Sequence, residues 1–285
     1  MKSLIQSIFW TVAVTFAIGL VLRFTGVMDG FYYRPNNRSY DAPSGGWPAH
    51  DEHGFESEDG TRLHGWFFTA QDPRGTILHL HGSDGNITAT ARNLLWLVDG
   101  GYNLFAFDYR EYGRSEGKTS REGVVADSHA AYRYVRSLPG VDPDRIVLFG
   151  QSMGGQLAIL TAVDQHPPAA VISEATYASY ADQMFDKMEQ MTFVSIFRWP
   201  MWLIADDAHS AIDVVHQLSS PLLLIHGVND RGVRHLHSER LYHAAPEPKQ
   251  LWSVEEAGHL EVFKRSPYRE AYRPALEEYL RQILE

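Results

Sequence analysis

The residues with the sharpest chemical signature are Gly150-Gln151-Ser152-Met153-Gly154-Gly155. The stretch 144–149, ending in Ile146-Val147-Leu148-Phe149, reads as a short buried strand before them, and 156–163 reads as a helix after them. A serine between glycines on a strand-to-helix turn is a nucleophile elbow. The turn strains the serine backbone, and only small neighbours at Gly150 and Gly154 leave room for it. The hydroxyl of Ser152 then stands clear of the sheet. The backbone N–H of Met153 lies at a helix N-terminus, where developing negative charge is stabilised.

A serine hydroxyl is a weak nucleophile at neutral pH. It needs a base, and the base needs an orienting carboxylate. Fourteen histidines compete for the first role. His259, in Ala257-Gly258-His259, follows a strand expected over 249–254, and small residues there let the loop turn the imidazole inward. Asp230, in His226-Gly227-Val228-Asn229-Asp230, follows an apolar strand expected over 222–226. The chain order Ser152, Asp230, His259 is the order that an elbow architecture requires. Glu174, just past a strand over 169–173, is the competing acid, with loop support as its alternative role.

An oxyanion needs a second donor besides Met153. His81-Gly82-Ser83-Asp84-Gly85-Asn86 follows a strand over 76–81, and Gly82 permits a turn that aims the Ser83 N–H across the site. Two such donors are worth a few kcal/mol each in a transition state. A plain strand–helix turn, capped by Asn86 or Thr88, is compatible with that reading. His79 and Asp84 have an H-x4-D spacing, but His79 lies inside the strand. His235 and His237 are two apart, wrong for one helix face. No metal site and no dinucleotide fingerprint are read, so no cofactor is expected.

Composition narrows the setting. The 285 residues are 44% hydrophobic, enough for one large α/β domain after the N-terminus is set aside. The formal net charge of −10 argues against a nucleic-acid partner, since phosphate binding needs a basic surface. The absence of cysteine removes disulfides and a thiol nucleophile. Residues 3–22 carry no charge and lie between Lys2 and Arg23. Twenty helical residues at ~1.5 Å each span about one hydrocarbon core. The run is long for a signal peptide and has no small-residue cleavage site. An uncleaved anchor over 1–23 is therefore expected ahead of a cleaved signal peptide. The Lys2 side and the Arg23, Arg34 and Arg38 side leave its orientation open.

The elements that must position the chemistry follow. Residues 24–50, with Pro35, Pro43 and Pro48, read as a linker or strap. Within a domain over 51–285, further strands are expected at 63–69 and 103–108. Helices are expected at 89–98, 123–138, 234–245 and 267–284. Such alternation predicts a mostly parallel sheet covered on both faces, with the chemistry at the carboxyl ends of the strands. One interval breaks the pattern. About 45 residues separate Ser173 from Leu222, with Met184, Phe185, Met188, Phe193, Trp199 and Trp202 among them. A crossover needs about a dozen or more. A small helical cap at about 178–218 is expected over the strand ends.

With these residues placed, the chain from about residue 31 onward resembles the α/β-hydrolase superfamily. Within it, the chain is similar to the Bem46-like, ABHD13-type membrane-anchored serine hydrolases. The resemblance rests on the loop 81–86, the block Phe107-Asp108-Tyr109-Arg110-Glu111-Tyr112-Gly113-Arg114-Ser115-Glu116-Gly117, the elbow, His226-Gly227 with Asp230, and Ala257-Gly258-His259. It implies a structural role for the block 107–117 beside the site, with Gly113 and Gly117 at turns. The family loop more often reads H-G-N-A-G-N. Ser83 and Asp84 depart from it, and Asp84 near the oxyanion would disfavour anionic substrates unless it faces solvent. The implied activity is ester cleavage through an acyl-enzyme; the apolar cap and the anchor together suggest an apolar or lipid-like acyl substrate, and a monomer is expected. A peptidase or amidase, an acyltransferase and a non-catalytic membrane-anchored binding protein are the alternatives on this fold.

Overall fold

The computed structural model describes residues 6, 9–14, 16–17, 29–190 and 208–285. Among them, eight strands make one sheet: β1 (Asp51–Glu56), β2 (Arg62–Phe68), β3 (Thr76–Leu80), β4 (Asn103–Asp108), β5 (Ile146–Gln151), β6 (Ala170–Glu174), β7 (Leu222–Gly227) and β8 (Lys249–Val254). Their order is β1-β2-β4-β3-β5-β6-β7-β8. β2 runs antiparallel to both neighbours, and β3 to β8 are parallel.

The inner strands β3 to β7 are buried end to end, as strands covered on both faces must be. Alternate residues serve opposite faces. In β5, Ile146 and Leu148 join one core with Leu157 and Tyr132, while Val147 and Phe149 join the other with Leu97 and Leu280. Each such large side chain contributes about 1.5–3 kcal/mol by leaving water.

From residue 29 onward, the helices among the described residues are α1 (Asp29–Tyr32), α2 (Ile87–Thr90), α3 (Leu95–Asp99), α4 (Arg121–Ser137), α5 (Met153–Asp164), α6 (Tyr180–Gln190), α7 (Ala211–Val214), α8 (Leu236–Ala244) and α9 (Tyr268–Leu284). α4 and α5 cover one face, and α3 and α9 the other. The Ser120 hydroxyl caps α4 by accepting the Gly123 N–H at 3.0 Å, which starts that helix two residues ahead of the expected 123.

Two expectations need correction. β1 was not foreseen. It is a mostly exposed edge strand with one buried apolar residue, Phe55, so it lacks the alternating pattern that marks a strand. The helix expected over 89–98 is broken into α2, a 3₁₀ turn over Ala91–Asn93, and α3. The break tightens the spacing so that Ile87, Ala91, Leu94 and Leu97 all reach the core.

The segment after α1 is held against the domain. Gly113 donates to the Asn36 carbonyl, the Asn86 amide donates to the Arg38 carbonyl at 2.9 Å, and Tyr40 donates to the Thr88 hydroxyl at 3.0 Å. The anchor expected over 1–23 falls mostly outside the described residues. Among the described residues no helix is long and apolar enough to cross a membrane. The expected cap is described in its flanks, α6 and α7, and its middle at 191–207 lies outside the described residues.

Candidate active site

Ser152 joins the end of β5 to α5 with φ 54° and ψ −117°. A non-glycine residue in that region stores about 1–3 kcal/mol of strain. Neighbours hold it there. The Ser152 N–H donates to the Glu174 carbonyl at 2.8 Å, and its own carbonyl accepts the Thr176 hydroxyl at 2.6 Å. At Gly150 a Cβ would collide with the Gly154 carbonyl, and at Gly154 with the Leu80 carbonyl. The turn exists because both positions lack one.

Asp230 and His259 leave the carboxyl ends of β7 and β8. The two loops are stitched by backbone bonds from Val228 to Val254 and from Asn229 to Ala257. His259 Nδ1 lies 2.7 Å from Asp230 Oδ2, so Nδ1 carries the proton and donates it. The Asp230 carboxylate is fully buried, and the His259 ring is one-third exposed. Burial alone would raise the Asp230 carboxyl. Hydrogen bonds from His226, His259 and the Val233 N–H outweigh it and hold the group well below the usual carboxylate range. His259 is thus paired with a permanent anion.

The loop after β3 is fixed from beneath. His81 Nδ1 donates to the Gly82 carbonyl at 2.7 Å, the Tyr109 hydroxyl donates to the His81 carbonyl at 3.1 Å, and the Tyr112 hydroxyl to the Ser83 carbonyl at 3.1 Å. Asn86 caps α2 by accepting the Thr88 N–H at 3.0 Å. Among the described residues, no acceptor takes the N–H of Ser83 or of Met153.

The other candidates have other partners. Glu174 is buried and accepts the Gln151 amide at 2.6 Å, and Gln151 Oε1 meets His79 Nε2 at 3.1 Å. This string crosses three adjacent strands beneath Ser152, and it leaves the His259 Nδ1 to Asp230. Burial raises the Glu174 carboxyl and, with the nearby His81, pushes His79 down to about 3. Asp84 is 79% exposed and 3.8 Å from Arg34 Nη1, so it faces solvent and does not crowd an oxyanion. His235 meets the Ser253 hydroxyl and His237 meets Asp186, so the pair does not converge.

The comparisons with known proteins agree with this architecture. The hydrolase family described as serine aminopeptidase, S33, matches residues 71–210. The protein YfhR of Escherichia coli O157:H7 is 34% identical over 291 residues, covering 99% of this chain and 96% of its own. The chain belongs to the YfhR family. An α/β-hydrolase domain-containing protein of Arabidopsis thaliana, WAV2, is 30% identical over 66% of this chain and 64% of its own. Among solved structures, the Pyrococcus furiosus esterase Pf2001 superposes with TM-score 0.71 at 22% identity, over 89% of this chain and 98% of its own. Acetyl xylan esterase 1 from Thermoanaerobacterium does so with TM-score 0.66 at 16% identity, over 88% of each. The fold of this YfhR-family chain is that of the α/β hydrolases.

Two residues of the site in this YfhR-family member escaped assignment from sequence. In the sequence His226 stands only as part of the His226-Gly227 motif, yet it is fully buried and 3.3 Å from the Asp230 carboxylate. A histidine ending an apolar strand was the available signal. Tyr112 anchors the Ser83 carbonyl from a loop 29 residues away, and nothing local marks that contact.

Proposed function

We propose that this chain is a serine hydrolase that cleaves carboxylic esters through an acyl-enzyme on Ser152. The observation that carries the reading is the 2.7 Å His259–Asp230 pair on the strand edge where Ser152 is held at positive φ. His259, through the ring nitrogen opposite Asp230, takes the Ser152 proton as the oxygen attacks the carbonyl carbon. The N–H groups of Ser83 and Met153 receive the oxyanion, and Asp230 stabilises the imidazolium. The imidazolium returns the proton to the leaving alcohol. Water, deprotonated by His259, then releases the acid. These steps call on no metal or cofactor.

The substrate proposed is an apolar, lipid-like acyl ester, met at a membrane through an anchor at residues 3–22, in the manner of the Bem46-like enzymes. The apolar composition of residues 184–202 supports it. A second reading, amide or peptide cleavage, is favoured by the match to the serine aminopeptidase family. Fluorophosphonate labelling tests the enzyme class: the wild type should label and Ser152→Ala should not, and an unlabelled wild type defeats the proposal. Hydrolysis of p-nitrophenyl esters from C2 to C16 beside the matching anilides separates the substrates. A preference for acetate removes the lipid idea, and faster anilide turnover favours the second reading.

A further inference from the structure

His226 closes β7 with its ring fully buried, and both ring nitrogens are engaged. Nε2 lies 3.0 Å from the Val233 carbonyl and 3.3 Å from Asp230 Oδ2. A carbonyl oxygen only accepts, so Nε2 carries the proton and shares it with the carboxylate. Nδ1, 2.6 Å from the Ser238 hydroxyl, is then the acceptor in the neutral ring. Ser238 is itself fully buried on α8. Oδ2 is the same oxygen that takes the His259 proton. Oδ1 receives the N–H of Gly232 at 2.7 Å and of Val233 at 2.9 Å. The carboxylate is therefore gripped on both oxygens, with two imidazoles sharing one of them.

We propose that His226, oriented by Ser238, is a positioning residue that sets the rotation and hydrogen-bonding power of the Asp230 carboxylate toward His259. The proposal rests on the serine-hydrolase reading. Two backbone donors on Oδ1 fix one end of the carboxylate but leave its plane free to tilt about them. His226, a second imidazole N–H on Oδ2 beside that of His259, restricts that freedom. A shared proton also draws charge from Oδ2, so the attraction felt by His259 is moderated. The ionisable groups that face His226 are Asp230, His259 beyond it, His235 with ring centroids 5.6 Å away, and Glu174 across the sheet edge. His235 is itself paired with Glu239 at 3.5 Å. Of these four groups, only Asp230 comes within 3.5 Å of a His226 ring nitrogen.

The test uses the full chain and its variants His226→Phe, His226→Gln and Ser238→Ala. The measurements are fluorophosphonate labelling, p-nitrophenyl ester kcat and KM, and the pH profile of kcat/KM. His226→Phe should lower kcat about 10- to 100-fold, as loss of an outer orienting partner does elsewhere, with KM nearly unchanged. Its acidic limb should move to higher pH, because Asp230, relieved of a donor, holds the His259 proton more strongly. His226→Gln, which restores an N–H at that reach, should recover most of kcat and bring the limb back. Ser238→Ala should shift both in the same direction as Phe by a smaller amount, and it decides the matter if the Phe variant does not fold. A folded Phe variant, or failing that Ser238→Ala, with kcat within about twofold of wild type and an unmoved limb overturns the proposal. So does a Gln variant no better than Phe. A wild type that does not label defeats the serine-hydrolase reading and this one with it. A labelled wild type with indifferent variants defeats this one alone.

Discussion

The His81 ring donates through Nδ1 to the carbonyl of the residue that follows it, Gly82, at 2.7 Å. A trans peptide is planar, so the Gly82 carbonyl and the Ser83 N–H point in opposite directions. Tying down the carbonyl therefore aims the N–H away from His81. Burial pushes His81 down to about 4, which keeps the ring neutral through the working range. In the proposed mechanism, oxyanion geometry thus depends on a side chain that touches no substrate. His81→Phe keeps the bulk against Tyr109 and Tyr112 but frees the peptide. It should cut kcat by about 10- to 100-fold, less than the 10²–10³ for outright loss of a donor, with little change in KM. Steady-state kinetics beside a thermal melt checks it.

Gly154 is the packing keystone of the elbow. Its Cα faces the carbonyl oxygens of Leu80 and His81, which are backbone atoms that cannot rotate aside. Gly154→Ala should cost about 3 kcal/mol or more, at or above the upper end for overpacking. Chemical denaturation measures it, and a loss below about 1 kcal/mol contradicts the steric account.

His79 should make stability depend on acid. Its folded pKa, about 3, lies below its unfolded value near 6.5. The unfolded chain therefore binds the proton first. The contribution of the neutral ring is fully present above pH 6.5 and is lost as pH falls toward 3. The buried Asp108, raised to about 7, runs the other way, and so does Glu174. A difference measurement isolates the histidine. His79→Gln should be less stable than wild type at pH 8, and the deficit should shrink steadily between pH 6.5 and 4. Denaturant titrations at four pH values would show it, and a constant deficit would refute it.

Helix α6 is clasped to the Asp230 loop. Asp186 on α6 receives His237 Nε2 at 3.0 Å and Arg234 Nη1 at 2.8 Å, and the Gln183 amide donates to the Gly232 carbonyl at 2.9 Å. Asp186→Ala leaves His237, 4% exposed, without its carboxylate. The loss should be about 1–3 kcal/mol, because the pair is largely shielded from water. Limited proteolysis should cut α6 faster than in the wild type. Equal cleavage rates would mean that the clasp does not hold the helix.

Local pattern sufficed wherever one segment had to satisfy its own rule. The elbow glycines announced a turn that a Cβ would block, and the long apolar runs announced strands covered on both faces. The order Ser152, Asp230, His259 could be written down because loops following parallel strands emerge on one edge. Other features depended on partners distant in sequence. β1 is a strand because β2 completes it across a hairpin, and its own residues are mostly polar. Asp84 turned outward once Tyr112 and Arg34 had fixed the loop around it. The second imidazole on Asp230 comes from the strand end four residues earlier in the chain, and nothing in that spacing alone tells a strand-closing core histidine from one aimed at a carboxylate. Sequence determined which residue types could do chemistry and on which edge they would stand. Tertiary packing decided which polar atoms met, because a hydrogen bond depends on ångström-scale placement that no periodicity encodes.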